Sequence, residues 1–524
     1  MSQNAVDTRI RRSLRDFDAI PEAVHPDDLQ PAAETPHRRG LGVVCAITVA
    51  VVTAAITSYQ VGHRQLWQDE YSTWYASTLH SADFMRLIGN IDLYVTPYYL
   101  FMHSWISLFG DSPAVLRTPS VIGMTIAAGL IVLLGQRLFD LGTGVVGGLV
   151  FAVLPTVSRY AQEARPYAIV MMLAVLATLQ LTRAIKSPKW PNWLWYGAAM
   201  LALGYTHMIA ITLAAPHFIA IRTAVKRHDV LRLWRWLVAG VAIVVFVVPY
   251  ALLGSEQSAA AAWIRVSPAN IRAYPTDLTG SLKISAVLAT LACIAVIVLW
   301  RSGRVRVMML ATWAVIPPLI ALAGGQRLHL FLFRYFLFTL PAWSLLAAAG
   351  LTAIVRIVLR ATGGLNVALR IVGSIALVAC IALLSIPGQK LYRLNPLEGN
   401  YPDYHGVATS IIAQERPGDG IAYSGDRVAR QAMTYELRNV SKPRDVFLAQ
   451  TAEQIGSFGG VECNVPASCI GSTQRIWLVA HVNSSDPYAG LAPLTASLLK
   501  SRFTVQHVQQ LIGVRLILFV AKPK

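Results

Sequence analysis

Two adjacent carboxylates, Asp69 and Glu70, stand in the stretch Leu66-Trp67-Gln68-Asp69-Glu70-Tyr71-Ser72-Thr73-Trp74, just beyond an apolar run long enough to cross a bilayer. Acidic side chains are costly at membrane depth, so a pair embedded among Leu66, Trp67, Tyr71 and Trp74 calls for a chemical reason. The plain alternative is a solvated loop. A carboxylate partly withdrawn from water takes a proton from a hydroxyl more readily, which is the task of a general base. Neighbouring residues on a helix or strand point in different directions, so the two acids have different tasks. Asp69 is the candidate base, and Glu70 either orients it or holds an acceptor hydroxyl.

Two arginine-bearing stretches offer partners for an anion. In Arg159-Tyr160-Ala161-Gln162-Glu163-Ala164-Arg165-Pro166-Tyr167, Arg165 either pairs with Glu163 and snorkels, or Arg165 or Arg159 grips a phosphate, whose oxygens match a guanidinium in a bidentate way. In His329-Leu330-Phe331-Leu332-Phe333-Arg334-Tyr335, Arg334 lies against an aromatic wall, where a cation needs an anion or the interface. A lipid phosphate suits it. His207 and His217 sit in apolar surroundings and are expected to be structural. No resident cofactor is expected. A divalent metal on Asp69, Glu70, His103 and His329 is conceivable, but no metal-ligand spacing supports it.

The elements that must position these residues are membrane spans. Of 524 residues, 55% are hydrophobic and 14% charged, against about 25% charged in soluble domains. After Leu41 to Tyr59, further apolar runs fall at about 119–137, 143–157, 166–184, 193–206, 208–223, 234–253, 284–300, 307–323, 334–355 and 370–387. Together they predict a polytopic α-helical membrane protein of about 11 spans. The net charge of +18 does not require nucleic acid. With residues 1–40 as a disordered cytoplasmic tail, the basic excess falls in alternate loops: Arg137; Arg183 and Lys186; Arg232 and Arg235; Arg301, Arg304 and Arg306; Arg356 and Arg370. That is the positive-inside pattern of a cytoplasmic-membrane protein.

The pattern requires residues 61–118 to form one large outer loop of a 41–388 transmembrane core, with interfacial helices at Ser81–Asn90 and Pro97–Phe109. A span at 95–110 would invert every later loop. Residues 389–524 contain no spanning run, and short strand-like and helical stretches alternate there. They predict a small extracytoplasmic α/β domain, with antiparallel pairing toward its C-terminal end as an alternative. Cys463 and Cys469 would lie in an oxidising compartment, as a disulfide or as two free thiols.

These residues resemble the C-type integral membrane glycosyltransferases, nearest the protein-mannosyltransferase-like and aminoarabinose-transferase-like branch. The resemblance rests on Trp67-Gln68-Asp69-Glu70, Pro97-Tyr98-Tyr99 with Leu108-Phe109-Gly110-Asp111-Ser112, Leu116-Arg117-Thr118-Pro119-Ser120, Gly135-Gln136-Arg137-Leu138-Phe139, Tyr160 to Ala168, and Arg334-Tyr335 with Leu340-Pro341-Ala342. It is continuous over about 61–185 and sparse beyond. It implies Asp69 as the catalytic residue and Arg334 as a ligand of the donor phosphate of a polyprenyl-phosphate sugar, beside which Arg165 and Arg159 remain candidates from the residues themselves. Trp67, Asp92, Tyr98, Glu163 and Tyr335 are then the candidate acceptor- or substrate-binding residues. Val95-Thr96 stand where the family often has His or Lys before Pro-Tyr-Tyr, so the role of that turn is open. The composition is similar to mycobacterial mannosyl- and arabinosyltransferases of lipoglycan assembly. The expected reaction is transfer of mannose, or alternatively arabinose, to a glycan or lipoglycan acceptor with inversion. The competing class is a transporter or flippase of lipid-linked sugars, although no internal repeat supports it.

Overall fold

A computed structural model describes residues 36–224, 230–257, 262–362, 367–394, 402–424, 427–481 and 484–523; most of the expected tail lies outside them. The chain packs as two units. One comprises Met1–Tyr59, Pro119–Gln162 and Pro166–Gln389, and the other Gln60–Thr118, Glu163–Arg165 and Lys390–Lys524. The 61–118 loop, expected to belong with the transmembrane core, therefore groups by its contacts with the C-terminal part of the chain.

The first unit is helical, and the protein is a multi-pass membrane protein. Among the described residues, seven helices are long and apolar enough to cross a membrane: Arg39–Ser58, Pro113–Leu138, Tyr167–Lys186, Leu231–Ser255, Leu282–Gly325, Phe333–Val358 and Arg370–Arg393. The remaining expected spans take other forms. Those at 284–300 and 307–323 lie in one helical run, Leu282–Leu328, broken at Gly303. The one at 143–157 is a bent pair, Leu141–Val153 and Pro155–Ala161, with a 66° break. Trp190–Thr206 has 17 residues, and Met208–Ala224 begins as a 3-10 turn.

The bend at Leu154–Pro155 falls at a proline, which has no N–H to continue the helix, and close packing accommodates it. A Cβ added at Gly280 would lie 2.9 Å from the Pro155 Cβ, and one at Gly388 would lie 3.0 Å from it. Two glycines thus leave room for the proline ring, and Gly280, at φ +85°, adopts a conformation that other residues rarely take. The turned-off helix ends on Arg159 and Tyr160. Elsewhere in this unit Asp140 caps Leu141–Val153, its carboxylate accepting from Thr143 N at 2.9 Å. It also receives Arg356 at 3.0 Å and Arg370, while Arg306 donates to Leu138 O at 2.9 Å. Arginines from the basic loops thus gather around the turn after Leu138.

The second unit combines loop helices with a sheet. The loop contributes Gln68–Thr78, Ser81–Asn90 and Thr96–Phe109. Thr96–Phe109 buries Tyr98, Tyr99 and Met102 and exposes Leu100, Phe101, Leu108 and Phe109. The strands are β1 (Gly420–Ser424), β2 (Arg444–Asp445), β3 (Leu448–Gln450), β4 (Val461–Glu462), β5 (Arg475–Ala480), β6 (Phe503–Leu511) and β7 (Val514–Ala521). Five form a sheet of order β2-β1-β5-β7-β6, and β3 and β4 form a separate ribbon. β1 runs parallel to β2 and β5, whereas β7 is antiparallel to β5 and β6. Both alternatives read from the sequence are present in one mixed sheet. Ile476, Trp477, Leu478, Val479 and Ala480 are all buried, the continuous pattern of a central strand covered on both faces. Cys463 and Cys469 form a disulfide.

The helix Arg427–Glu436 lies against Gln68–Thr78. Tyr71 donates to Glu436 Oε1 at 3.1 Å, and the Trp74 and Tyr435 rings meet edge-on at 5.1 Å. Asp111 accepts from both Trp74 Nε1 and Arg438 Nε at 2.9 Å. The sheet region and the acid-bearing helix are therefore one packed body.

Candidate active site

The helix Gln68–Thr78 begins at Trp67, and its first turn holds Asp69 and Glu70, where the helix dipole favours negative charge. Glu70, the third helical residue, reaches back to accept from Trp67 N at 3.2 Å, as in half of a capping box. Successive helix residues diverge by roughly 100°. One acid faces inward and the other outward.

Glu70 is the inward one, fully buried against Arg117. Arg117 Nε and Nη2 donate to its two carboxylate oxygens, each at 2.8 Å, and Ala164 N donates to Oε1 at 2.9 Å. The remaining guanidinium donors reach the carbonyls of Val61, Arg64 and Gln65, each at 2.9 Å. All five N–H groups of an arginine are thereby used. This corrects the expectation that Glu70 meets an acceptor hydroxyl: both its oxygens are occupied, and its work is to hold the loop. Arg117 stands in the Leu116-Arg117-Thr118-Pro119-Ser120 segment that carries the resemblance, but no role for it is legible there.

Asp69 is partly exposed, its side chain at 20%. Arg165 Nε lies 3.9 Å from Asp69 Oδ2, an ion pair between two partly exposed side chains whose facing atoms are buried. Thr73 links them, donating to Asp69 O at 2.9 Å and accepting from Arg165 Nη1 at 3.5 Å. Tyr99 stands beside Arg165 and donates to Asp92 Oδ2 at 2.7 Å. Burial and then Asp92 push the Tyr99 phenol well above its ordinary range, partly offset by Arg165. Asp92 adopts left-handed backbone at φ 60°, a conformation asparagine and aspartate tolerate better than most.

Several expected contacts change. Tyr98 is 3% exposed, with its ring 6.4 Å from that of Phe101, and its neighbour Tyr99 makes the bond to Asp92. Glu163 is 4% exposed, and its carbonyl accepts from Arg165 N at 2.8 Å. Neither reaches out from the surface as a substrate ligand would. Trp67 is partly exposed at the helix start. Of the residues conceived as metal ligands, His103 Nδ1 lies 2.8 Å from Ser77 O and His329 Nδ1 2.8 Å from Ile264 O. Among the described residues no three His, Cys, Asp or Glu side chains come together.

In the helical unit the two arginine-bearing stretches meet. Tyr160 packs edge-on against Tyr167 at 5.4 Å and Phe333 at 6.4 Å. His207 bridges Tyr167 and Tyr335, with ring centroids at 6.0 and 5.1 Å. Arg334 lies 5.9 Å from the Trp263 ring, and Arg159 lies 5.4 Å from Tyr160. Partial burial pushes the Asp277 carboxyl up, and Arg159 opposes it. His207 thus packs between aromatic rings of the arginine-bearing segments.

This fold is shared with proteins of known structure. The chain is similar to ArnT from Cupriavidus metallidurans in the apo state, at 15% identity over 93% of this chain and 99% of that one, with a TM-score of 0.55. Against the same enzyme bound to undecaprenyl phosphate the TM-score is 0.57 at the same identity and coverage. The archaeal oligosaccharyltransferase AglB from Archaeoglobus fulgidus, in complex with an inhibitory peptide and a dolichol-phosphate, matches at 11% identity over 92% and 74% of the two chains, with a TM-score of 0.51. The family model described as dolichyl-phosphate-mannose-protein mannosyltransferase matches residues 96–252. A sequence search of the curated proteins finds no match. The family match is confined to residues 96–252, and the likeness to ArnT and AglB is one of fold.

Proposed function

We propose that the protein transfers mannose from a polyprenyl-phosphate donor to a glycan or lipoglycan acceptor at the outer face of the cytoplasmic membrane. The observation that carries this reading is the Asp69–Arg165 pair, a partly exposed carboxylate with a guanidinium 3.9 Å away at the start of a helix. The mannosyl donor is supported by the family matched over residues 96–252, and the lipid phosphate by the undecaprenyl phosphate bound to ArnT. The outer face is supported by the alternation of basic loops.

In this reading Asp69 takes the proton of an acceptor hydroxyl as its oxygen bonds to the anomeric carbon. The bond from that carbon to the phosphate oxygen breaks, its electrons leave with the lipid phosphate, and the configuration inverts. Arg165 stabilises charge growing on the phosphate, because preorganised donors act most strongly where charge develops. Arg334 and Arg159 are the phosphate-binding candidates of the helical unit, and Tyr335 with His207 holds the Arg334 segment in place. Asp92 and Tyr99 set the orientation of Arg165. No step calls on a resident cofactor.

The test is transfer by purified protein in proteoliposomes, supplied with polyprenyl-phosphate mannose or polyprenyl-phosphate arabinose and a lipoglycan acceptor extract. Asp69→Asn should lower transfer by about 10²–10⁴-fold, the usual worth of a general base. Near-normal transfer by that variant ends the mechanism. Mass spectrometry of envelope glycans from a deletion strain identifies the sugar: a lost hexose supports mannose, and a lost pentose replaces it with arabinose.

A further inference from the structure

We propose that a second sugar subsite lies in the second unit, in a cavity of about 170 Å³ lined by Tyr75, Gln431 and Phe458, and that it holds one pyranose ring of the acceptor glycan. Pockets for drug-sized ligands run to roughly 300–1,000 Å³, so this one suits a single ring rather than an extended ligand.

Its polar groups are those a hydroxylated ring would satisfy. Gln431 is 5% exposed, and its Oε1 accepts from Ser72 Oγ at 3.4 Å. Among the described residues its Nε2 has no hydrogen-bond partner, and neither does the buried Oδ1 of Asp445. A buried donor or acceptor left unmade is costly, so both groups gain from a ligand that supplies the complement. Both atoms belong to residues that line the cavity, and a donor with an acceptor suits adjacent hydroxyls, each of which donates and accepts, once the side chains turn toward a bound ring.

Its walls fit the other side of a sugar. The Tyr75 and Phe458 rings meet at 6.0 Å and 59°, giving an aromatic surface for the C–H face of a pyranose. Charge argues for a neutral ligand. The cations Arg430 and Lys442 share the cavity with Asp445 and Glu453. Arg430 Nε is bonded to Asp445 Oδ2 at 2.7 Å, and Lys442 feels the opposite charge of Glu453. A phosphate would have to displace these partners; a neutral ring need not.

The subsite and the candidate base share one helix. Ser72 and Tyr75 follow Asp69 in Gln68–Thr78, and the six-residue rise from Asp69 to Tyr75 is roughly 9 Å, within the reach of an oligosaccharide. The ring's role as acceptor rests on the sugar-transfer reading above, whereas its binding is measurable without turnover.

Saturation-transfer NMR on the full-length protein in lipid nanodiscs tests this with methyl α-D-mannopyranoside, methyl α-D-glucopyranoside, methyl β-D-galactopyranoside and methyl α-D-arabinofuranoside. A pyranoside should receive saturation, and Gln431→Leu and Tyr75→Ala should each weaken it by about five- to ten-fold. Tyr75→Phe, which keeps the ring, and Asp69→Asn should leave it unchanged. Melting curves identify a variant that has lost its fold; if Gln431→Leu has, the contrast between Tyr75→Ala and Tyr75→Phe decides. Binding of the furanoside alone, of no glycoside, or of a pyranoside equally well in both weakening variants overturns the proposal. In turnover, Gln431→Leu should raise the acceptor KM with kcat retained. Pyranoside binding by a protein that transfers no sugar would overturn the acceptor role and the transfer reading together, leaving the cavity as a sugar site.

Discussion

Arg117 meets Glu70 through two bonds of 2.8 Å across 47 residues of chain, with both side chains fully buried. Removing one partner of such a pair strands a buried charge and costs about 3–5 kcal/mol. Glu70→Gln and Arg117→Met should each lower the melting temperature of the purified protein markedly. The double variant Glu70→Met/Arg117→Leu should recover part of it. If Glu70→Gln melts normally and yet transfers no sugar, Glu70 acts on substrate and its structural assignment is wrong.

Arg165 should separate from this pair in its effects, because it is partly exposed and contacts Asp69 rather than closing the loop. Arg165→Ala should reduce kcat by about 10²-fold with little change in melting temperature, the scale of a lost charge-stabilising donor. Arg165→Lys should restore only part, since an ammonium cannot copy the guanidinium fork. Steady-state kinetics beside melting curves check this, and a pure loss of stability would count against it.

His405 predicts a pH dependence. Its Nδ1 lies 2.9 Å from Glu436 Oε2, and that hydrogen bond raises the imidazole above its ordinary value of 6.5, against an opposing effect of burial. Folding therefore favours the protonated form. The stabilisation is fully present below about pH 6.5 and fades as pH rises through the higher folded value. The imidazole is 70% exposed, so the effect is small. The melting temperature of wild type relative to His405→Asn should fall across that window; a difference that stays constant from about pH 5.5 to about pH 8.5 would contradict it.

Gly280 tests the bend that presents Arg159. At its φ of +85°, and with an added Cβ only 2.9 Å from Pro155, there is no place for a side chain. Gly280→Ala should cost about 1–3 kcal/mol in backbone strain alone. Gly388→Ala meets the same proline at 3.0 Å without a positive φ and should cost less. Thermal melting of the two single variants ranks them, and equal losses would remove the backbone contribution.

Much of the architecture was legible because it depends on local composition. An apolar run of sufficient length must cross or be buried wherever it stands, and Arg39–Ser58, Tyr167–Lys186 and Arg370–Arg393 emerge close to their apolar runs. Ser81–Asn90 matches its sequence pattern residue for residue. The less regular spans were not legible. The break at Gly303 is a departure of the backbone from helical geometry, and the bend at Pro155 is accommodated by Gly280 and Gly388, both distant in sequence.

The sequence by itself determined that a pair of acids would stand just beyond a membrane span, since residue type and the length of an apolar run are local properties; that they open a helix is a finding of the structure. Which acid stays accessible was decided only by the tertiary structure. Glu70 turns inward because Arg117 and the Ala164 amide, both distant in sequence, converge on that face of the helix. Asp69 turns outward to Arg165 for the same reason. The identity of a partner that must neutralise a buried charge is a long-range fact, and no spacing within Trp67 to Thr73 encodes it.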